Sequence, residues 1–393
     1  MRRLFVVSCV GAVGVVVGGL AAACSGDSRS VEAGDAAVEA QVAEAGAGDG
    51  GDATVVPRGA RVLGLAVAIG DVDFQKNVQI ARDAGAQTTN LTFAWDEVER
   101  PYDAGAPDAD AGDASAATPT QLFNPLLHVA NLVLPDERMG AIVTLDALDV
   151  GGPRAPAELA TVALDDAALA ARYDRLTDYA LDQLPDTNVT ALFFASNVDV
   201  PLGDDVGKHA AFATFVTRAA AHVHASRPTL KVGFVVTASG AIAAKERFAA
   251  AWAASDVIGV TYLPVDAAAH VRPVATVAAD LDALAAALPA GKPIVLREVG
   301  YPTAPACGGS PAAQAAFVSA VFGSWDRHAD RFSVVTVREL VDRDAVTAAA
   351  LAERYARSDA AFLGFLGSLG LRDGSQSKPG LGTLIGEARA RGF

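Results

Sequence analysis

Glu298 is the residue of this sequence best placed to do chemistry. It follows the apolar run Ile294–Leu296 and Arg297, and it leads into a Gly-Tyr-Pro turn that begins at Gly300. An apolar run without polar alternation is typical of a parallel strand that is covered on both faces. A carboxylate at the end of such a strand lies where α/β barrels carry their chemistry. The alternative is a structural carboxylate that pairs with Arg297 or another cation.

Polar and aromatic residues also follow other apolar runs of the chain. They are Asp71 and Asp73, then Trp95, Asp96 and Glu97, then Asp146 and Asp149, then Ser196, Asn197 and Asp199, then Tyr262, and finally Tyr301 just beyond Glu298. Carboxylates that share a rim with aromatic rings are what glycoside chemistry requires. One carboxylate attacks or stabilises the anomeric carbon, one acid protonates the leaving oxygen, and flat rings pack on sugar faces. We therefore predict a carbohydrate partner.

Other kinds of active site find little support in the sequence. His222 and His224 are two residues apart on a predicted helix, so they point to different faces and do not form a metal site. There is no Gly-x-Ser-x-Gly elbow of a serine hydrolase. Cys307 has no activating base nearby in the sequence and is predicted to be a bystander. We predict neither a metal nor a cofactor.

The elements that must position these residues alternate along the chain. Apolar runs predict eight strands, at approximately 62–69, 87–93, 140–145, 189–195, 231–236, 257–262, 293–297 and 333–337, and the clearest helices are predicted at 167–184, 209–225, 274–288 and 311–328. Eight βα units of this length predict a single-domain (β/α)8 TIM barrel, of the α/β class, over residues 58–393. The competing doubly wound sheet would need a Gly-x-Gly-x-x-Gly loop, which the first strand lacks.

The N-terminal residues predict export. Residues 1–24 have a basic start, an apolar middle and small residues before Cys24, which is typical of a signal peptide. The small residues before Cys24 resemble the lipobox of bacterial lipoproteins, which implies a lipid anchor on Cys24 and a location at the bacterial cell envelope. An ordinary secretory signal is the alternative. Residues 25–57 predict a disordered acidic tether, and residues 103–118 predict a flexible insertion of similar composition.

The charge of the chain restricts its partners. The formal net charge is -15 and the pI is near 4.8. Nucleic acids need a basic footprint, so we predict no nucleic-acid partner. Contact with a membrane is predicted only through the N-terminal lipid anchor.

Several short motifs together resemble the retaining glycoside hydrolases of clan A. They are Trp95, residues 193–199 (Phe-Phe-Ala-Ser-Asn-Val-Asp), residues 260–264 (Val-Thr-Tyr-Leu-Pro), residues 296–302 (Leu-Arg-Glu-Val-Gly-Tyr-Pro) and the chain end from Leu369 to Pro379. The resemblance implies that Glu298 is the nucleophile and that Tyr262 orients it. It also implies that Trp95, Ser196, Asp146 and Tyr301 contribute to substrate binding.

One position departs from the pattern of the clan. Relatives often carry Gly-Asn-Glu-Val-Asp after the fourth strand, where this chain has Ala195-Ser196-Asn197-Val198-Asp199. The resemblance therefore places Asn197 at the acid/base position and Ser196 where an asparagine binds the sugar 2-hydroxyl. An amide cannot protonate a leaving group, and losing this help costs about 10²-fold to 10⁴-fold in rate.

Three hypotheses follow from this departure. The first is a surface-tethered barrel that binds or acts on polysaccharide with impaired hydrolysis. The second is an active retaining glycosidase in which Glu298 is the nucleophile and Asp199 or Asp146 serves as the acid/base group. The third is a non-catalytic envelope lipoprotein without a carbohydrate role.

Overall fold

The computed structural model describes residues 55–101 and 120–393. The predicted signal peptide, Cys24, nearly all of the tether and the insertion at 103–118 lie outside the described residues. The predictions for these segments therefore stay predictions. In the part that is described, no helix combines the length and the apolar character needed to cross a bilayer.

Parallel strands form a barrel, and they confirm the predicted (β/α)8 fold. In chain order the eight strands are Val62–Leu65, Thr88–Ala94, Gly140–Asp146, Val189–Phe193, Val232–Thr237 with a break at Phe234, Ile258–Tyr262, Ile294–Val299 and Phe332–Val337. The first half of the fifth strand pairs with the fourth strand, and its second half pairs with the sixth. The eighth strand pairs with the first, so the pairing runs around the whole barrel.

Helices surround the barrel and follow the strands along the chain. They span Phe74–Asp83, Trp95–Val98, Pro125–Asp136, Ala167–Asp182, Asp199–Leu202, Val206–Ser226, Ala238–Ala243, Lys245–Ala253, Val277–Ala287, Pro311–Arg327, Ala345–Arg354, Ala360–Gly367 and Pro379–Arg391, with 3-10 turns at Val274–Thr276 and Pro305–Cys307. The four predicted helices are confirmed. Polar side chains cap several of them, because Asp166, Asp205 and Ser310 each accept hydrogen bonds from backbone N–H groups of the first turn.

Short antiparallel strand pairs form within the loops. Glu99–Pro101 pairs with Thr120–Leu122, and Leu148–Asp149 pairs with Gly152–Pro153. Arg372–Asp373 pairs with Gln376–Ser377 near the chain end. The first two pairs follow the second and third barrel strands, so they lie at the rim where the strands end.

The barrel interior has an apolar layer below a polar one. Phe193 fills the apolar layer, where Gly259 leaves room for it, because a Cβ on Gly259 would lie 2.8 Å from the Phe193 ring. Nearer the C-terminal ends of the strands, Arg297 donates hydrogen bonds to the hydroxyls of Thr144 and Thr92. This polar layer forms the floor of the region where the rim residues meet.

A buried ion network ties the first strand to the chain end, and it permits a stability prediction. Asp326 accepts from Arg61 at 2.8 Å and from Arg391 at 2.7 Å, and all three side chains are buried. The variant Asp326→Ala leaves two buried guanidinium groups without this partner. We expect a loss of about 3–5 kcal/mol in the free energy of unfolding, measured by urea denaturation.

A matched control is Asp182→Ala, because Asp182 pairs with Arg227 on the surface at 3.2 Å. Exposed pairs contribute about 0–1 kcal/mol, so this variant is expected to unfold almost like the unmodified protein. Equal losses in the two variants would contradict the assigned role of the Asp326 network.

Candidate active site

A polar cavity of about 310 Å³ opens at the C-terminal ends of the strands. Its ionisable lining groups are Glu97, Asp146, Asp149, Arg154, Arg297, Glu298, Arg338, Arg343, Arg354 and Tyr355. Ser196 and Asn197 also line it. The structure therefore brings together four of the predicted site residues, namely Glu298, Asn197, Ser196 and Asp146.

Glu298 is held between two arginines. Arg297 Nη1 donates to Glu298 Oε1 at 2.7 Å, and Arg338 Nη1 donates to Glu298 Oε2 at 2.8 Å. Burial alone would raise the pKa of Glu298, but Arg338, Arg297 and Arg343 outweigh it and lower the pKa below its ordinary value. Glu298 is therefore an ionised carboxylate at neutral pH. The ion pair with Arg297 that the sequence suggested as an alternative role is present.

An irregularity in the seventh strand lets two consecutive side chains reach the cavity. Along the sixth strand, Val260 pairs with Leu296 and Thr261 pairs with Glu298, so Arg297 is left out of the register. Such a bulge breaks the alternation of side chains between the two faces of a strand. As a result, Arg297 and Glu298 both line the cavity.

Asp146 is a second carboxyl group of the cavity whose pKa is shifted. It follows Ile142 and Thr144 at alternate positions of the third strand, so all three side chains face the barrel interior. Burial raises the pKa of Asp146 to about 7, although Arg297 and Ser196 oppose the shift. Its Oδ1 is buried without a hydrogen-bond partner among the described residues. Asp146 is thus a neutral acid below pH 7.

Asn197 lies at the turn that leaves the fourth strand. Its backbone is left-handed, with φ of 49°, a conformation that asparagine adopts more readily than most residues. Its side-chain Oδ1 is buried and has no partner within the described part of the chain. The cavity therefore has an amide at the position where the resemblance expects a carboxylic acid.

The structure places Asp199 away from the cavity. Asp199 would face the cavity only if the fourth strand continued to it, but this strand ends at Phe193 and Asp199 begins a short helix. Both Asp199 oxygens accept hydrogen bonds from Thr237, at 2.8 Å and 2.6 Å. The chain turns before Asp199, and the side chain anchors the next loop.

The three predicted aromatic residues also face away from the cavity. Trp95 is fully buried, packs on Tyr173 and donates to Glu99 at 2.7 Å. Tyr262 follows Ile258 and Val260 at alternate positions of the sixth strand, and this face packs against the surrounding helices.

The hydroxyls of the two tyrosines are also engaged elsewhere. Tyr262 donates to Asp280 at 2.8 Å rather than to Glu298, and Tyr301 donates to the Arg272 carbonyl at 3.0 Å. Burial and Asp280 raise the pKa of Tyr262. Tyr262 and Tyr301 both pack on Phe317. Neither ring lines the cavity that contains Glu298.

Residues that follow the eighth strand also line the cavity, although they are not among the predicted site residues. Arg338 comes directly after Val337, and Arg343, Arg354 and Tyr355 come from the next loop and helix. Arg338 has a signal in the sequence, because it is a polar residue directly after a barrel strand and such residues share one rim. Tyr355 carries no such signal, because it lies at the end of the helix Ala345–Arg354.

A larger cleft of about 430 Å³ lies beside the rim. Its lining is mainly aliphatic, with Leu148, Leu159 and Leu169 among its residues, and Asp165 is its single carboxyl group. Glycoside chemistry needs two carboxyl groups, so the smaller polar cavity is the candidate active site. In residues 55–101 and 120–393, no group of three or more His, Cys, Asp or Glu side chains could hold a metal ion.

This fold is that of the TIM-barrel glycoside hydrolases. The chain is similar to an exo-β-1,4-mannosidase from Opitutaceae bacterium strain TAV5, with a TM-score of 0.60 and 15% identity over 84% of this chain and 59% of that one. It is also similar to a GH5_18 protein from Streptomyces cattleya in complex with Manβ1-4GlcNAc, with a TM-score of 0.59 and 15% identity over 84% and 80% of the two chains.

A third similar structure is a family 39 glycoside hydrolase from the gut symbiont Bacteroides cellulosilyticus WH2. The TM-score is 0.58 and the identity is 12% over 85% of this chain and 64% of that chain. This chain therefore spans less than two thirds of the length of that hydrolase and of the mannosidase. No protein-family model and no curated protein matches the sequence. At these identities the similarity shows the fold alone.

Proposed function

We propose that this protein binds carbohydrate in the polar cavity and hydrolyses a glycosidic bond slowly, with Glu298 as nucleophile and Asp146 as a substitute acid. The observation that carries this proposal is the pair of carboxyl groups in one cavity with opposite pKa shifts. Glu298 is ionised because arginines surround it, and Asp146 has a pKa of about 7 because it is buried. Separated pKa values are how glycosidase sites assign a nucleophile and an acid.

The chemistry has two steps. A Glu298 oxygen attacks the anomeric carbon while the bond to the leaving oxygen breaks and Asp146 transfers its proton to that oxygen. Water then attacks the glycosyl–Glu298 ester, Asp146 takes a proton from the water, and the sugar leaves with its original anomeric configuration. Each step moves one proton, so the enzyme returns to its starting state.

Two features make this hydrolysis slow. Asn197 occupies the acid/base position, and an amide neither gives nor takes the required proton. Both oxygens of Glu298 also accept charge-assisted hydrogen bonds from Arg297 and Arg338, and these bonds stabilise the carboxylate before it attacks. The second candidate function is therefore carbohydrate binding without turnover, which is favoured by the same two arginine contacts.

The location is part of the proposal. A signal peptide, a lipidated Cys24 and the acidic tether would place the barrel outside the cytoplasm, at the cell envelope, where polysaccharides are accessible. These elements rest on the sequence pattern alone. A shift in electrophoretic mobility that is sensitive to globomycin and absent in Cys24→Ala would support the anchor. A mobility that neither globomycin nor Cys24→Ala changes would contradict it.

An activated substrate tests the nucleophile. An aryl glycoside with a dinitrophenol leaving group needs no acid in the first step, so Glu298 should form a covalent glycosyl adduct that intact-protein mass spectrometry detects. We expect the adduct with at least one sugar of a panel and its absence in Glu298→Gln.

The matched control is Glu97→Gln, because Glu97 is a second glutamate at the same cavity and pairs with Arg154 at 3.0 Å. This variant is expected to form the adduct normally. If no sugar gives an adduct with the unmodified protein, the hydrolytic part of the proposal fails and binding without turnover remains.

A further inference from the structure

The cavity has an unusual charge for a protein of this composition. The whole chain carries a formal net charge of -15. The cavity lining nevertheless has five arginines, which are Arg154, Arg297, Arg338, Arg343 and Arg354, and only four carboxyl groups. Cations are concentrated where a ligand of the barrel would bind.

Two of the five arginines use all three side-chain nitrogens in contacts within the protein. Arg297 uses Nε, Nη1 and Nη2 to contact Thr144, Glu298 and Thr92. Arg154 uses its three nitrogens to contact Asp96, Glu97 and Asp149. These two arginines hold the site together and have fewer free donors for a ligand than the other three.

The other three arginines have unused donors. Arg343 directs Nε to Glu339, which does not line the cavity, and its Nη1 and Nη2 find no acceptor in the described residues. Arg338 contacts Glu298 through Nη1 alone, and Arg354 contacts Asp149 through Nη2 alone, again counting the described residues. The side chains of Arg343, Arg338 and Arg354 are partly exposed, at 24%, 15% and 39%.

An aromatic ring lies beside these donors. Tyr355 lines the same cavity and remains 39% exposed, and its other side packs edge-on against Phe362. A rigid, partly exposed ring can pack on the flat face of a sugar. The cavity therefore offers an aromatic surface for a sugar next to guanidinium groups that retain unused N–H donors.

We propose that the ligand of this cavity is an acidic carbohydrate, whose anionic group is bound by Arg343 with Arg338 and Arg354. This inference rests on the proposed carbohydrate function and specifies the substrate class. The planar fork of a guanidinium group matches a carboxylate in a two-point contact, so a uronic acid fits best. A neutral sugar offers these arginines only hydroxyl acceptors, and a hydrogen bond from a guanidinium group to a carboxylate is stronger than one to a hydroxyl.

Binding to matched oligosaccharides tests the inference. Three sets share one backbone and linkage: neutral, uronic-acid-containing and sulfate-esterified. We expect isothermal titration of the unmodified protein to show the uronic-acid set bound at least about 10-fold more tightly than the neutral set, and less tightly at high salt. If the sulfated set binds more tightly than the uronic-acid set, the carboxylate assignment is wrong.

Arginine variants locate the contact. Arg343→Gln is expected to weaken binding of the acidic set by roughly 10-fold to 100-fold and binding of the neutral set by much less. Arg343→Lys should recover part of the affinity, because it keeps the charge but not the fork. Arg389→Gln removes an equal charge from an exposed position that does not line the cavity and should change nothing.

The outcomes separate this inference from the proposed function. Equal affinity for neutral and acidic sets, or equal loss of both in Arg343→Gln, would overturn the inference while leaving carbohydrate binding intact. Tight acidic binding without a covalent adduct at Glu298 would uphold the inference and contradict hydrolysis. Absence of binding to all three sets would overturn both.

Discussion

Replacing Asn197 by glutamate and Ser196 by asparagine is expected to raise hydrolysis of a substrate with a poor leaving group by about 10²-fold to 10⁴-fold. Both side chains line the cavity that contains Glu298, so the new carboxyl group would enter the site. The left-handed backbone at Asn197 opposes the change by about 1–2 kcal/mol, whereas the expected gain corresponds to about 2.7–5.4 kcal/mol of barrier. Steady-state kinetics on an alkyl or phenyl glycoside measure the effect.

The matched control is the double variant Ser196→Asn with Asn197→Gln. Glutamine has the length of glutamate but provides no acid, so this variant is expected to remain as slow as the unmodified protein. If the two double variants hydrolyse at the same rate, either Asn197 does not occupy the acid/base position or the remaining site cannot bind a sugar productively.

The variant Asp146→Asn is expected to lower hydrolysis of the same poor-leaving-group substrate by about 10²-fold. Hydrolysis of the dinitrophenyl glycoside depends less on an acid, so the first step with this substrate should change little. The leaving-group dependence distinguishes loss of a proton donor from general damage to the site. Burst kinetics separate formation of the adduct from its breakdown.

The pH dependence follows from the raised pKa of Asp146. The acid must be protonated to act, so kcat/KM of the unmodified protein is expected to fall as pH rises through about 7. The Asp146→Asn variant should lose this alkaline limb. The arginines around Glu298 keep it ionised to lower pH, so the two carboxyl groups leave a window in which Glu298 is charged and Asp146 is neutral.

Asp149 is the control for both observations. It lines the same cavity but is held by Arg154 at 3.0 Å and by Arg354. We expect Asp149→Asn to keep the leaving-group dependence and the alkaline limb of the unmodified protein. If instead Asp149→Asn loses both and Asp146→Asn keeps them, the proton donor has been assigned to the wrong aspartate.

Much of the architecture could be predicted from the sequence because it depends on local hydrophobic pattern. All eight strands and the four clearest helices are near their predicted positions. Glu298, Asp146, Ser196 and Asn197 were found because they stand just after, or at the end of, predicted strands, and these ends meet at one rim of the barrel. Chain order and strand ends were sufficient for this part of the site.

The predictions that depended on side-chain direction do not agree with the structure. Tyr262 and Trp95 are at the correct strand ends, but their side chains lie on the face that packs against helices. Asp199 was a candidate acid/base group, but the fourth strand ends at Phe193 and the chain turns before Asp199. A residue near a strand end is predicted to lie at the rim of the barrel. The direction of its side chain depends on the strand register and on where the chain turns.

The sequence by itself determined the barrel, the carboxylate Glu298 at its rim and the amide Asn197 where an acid is expected. Only the tertiary structure decided which groups meet Glu298 and in what state. A bulge brings Arg297 to its side, Arg338 comes from the segment after the eighth strand, and burial raises the pKa of Asp146 to about 7. These effects depend on the distances between charged groups and on their burial, and both are set by contacts between segments far apart in the chain. A local sequence pattern gives neither the distances nor the burial.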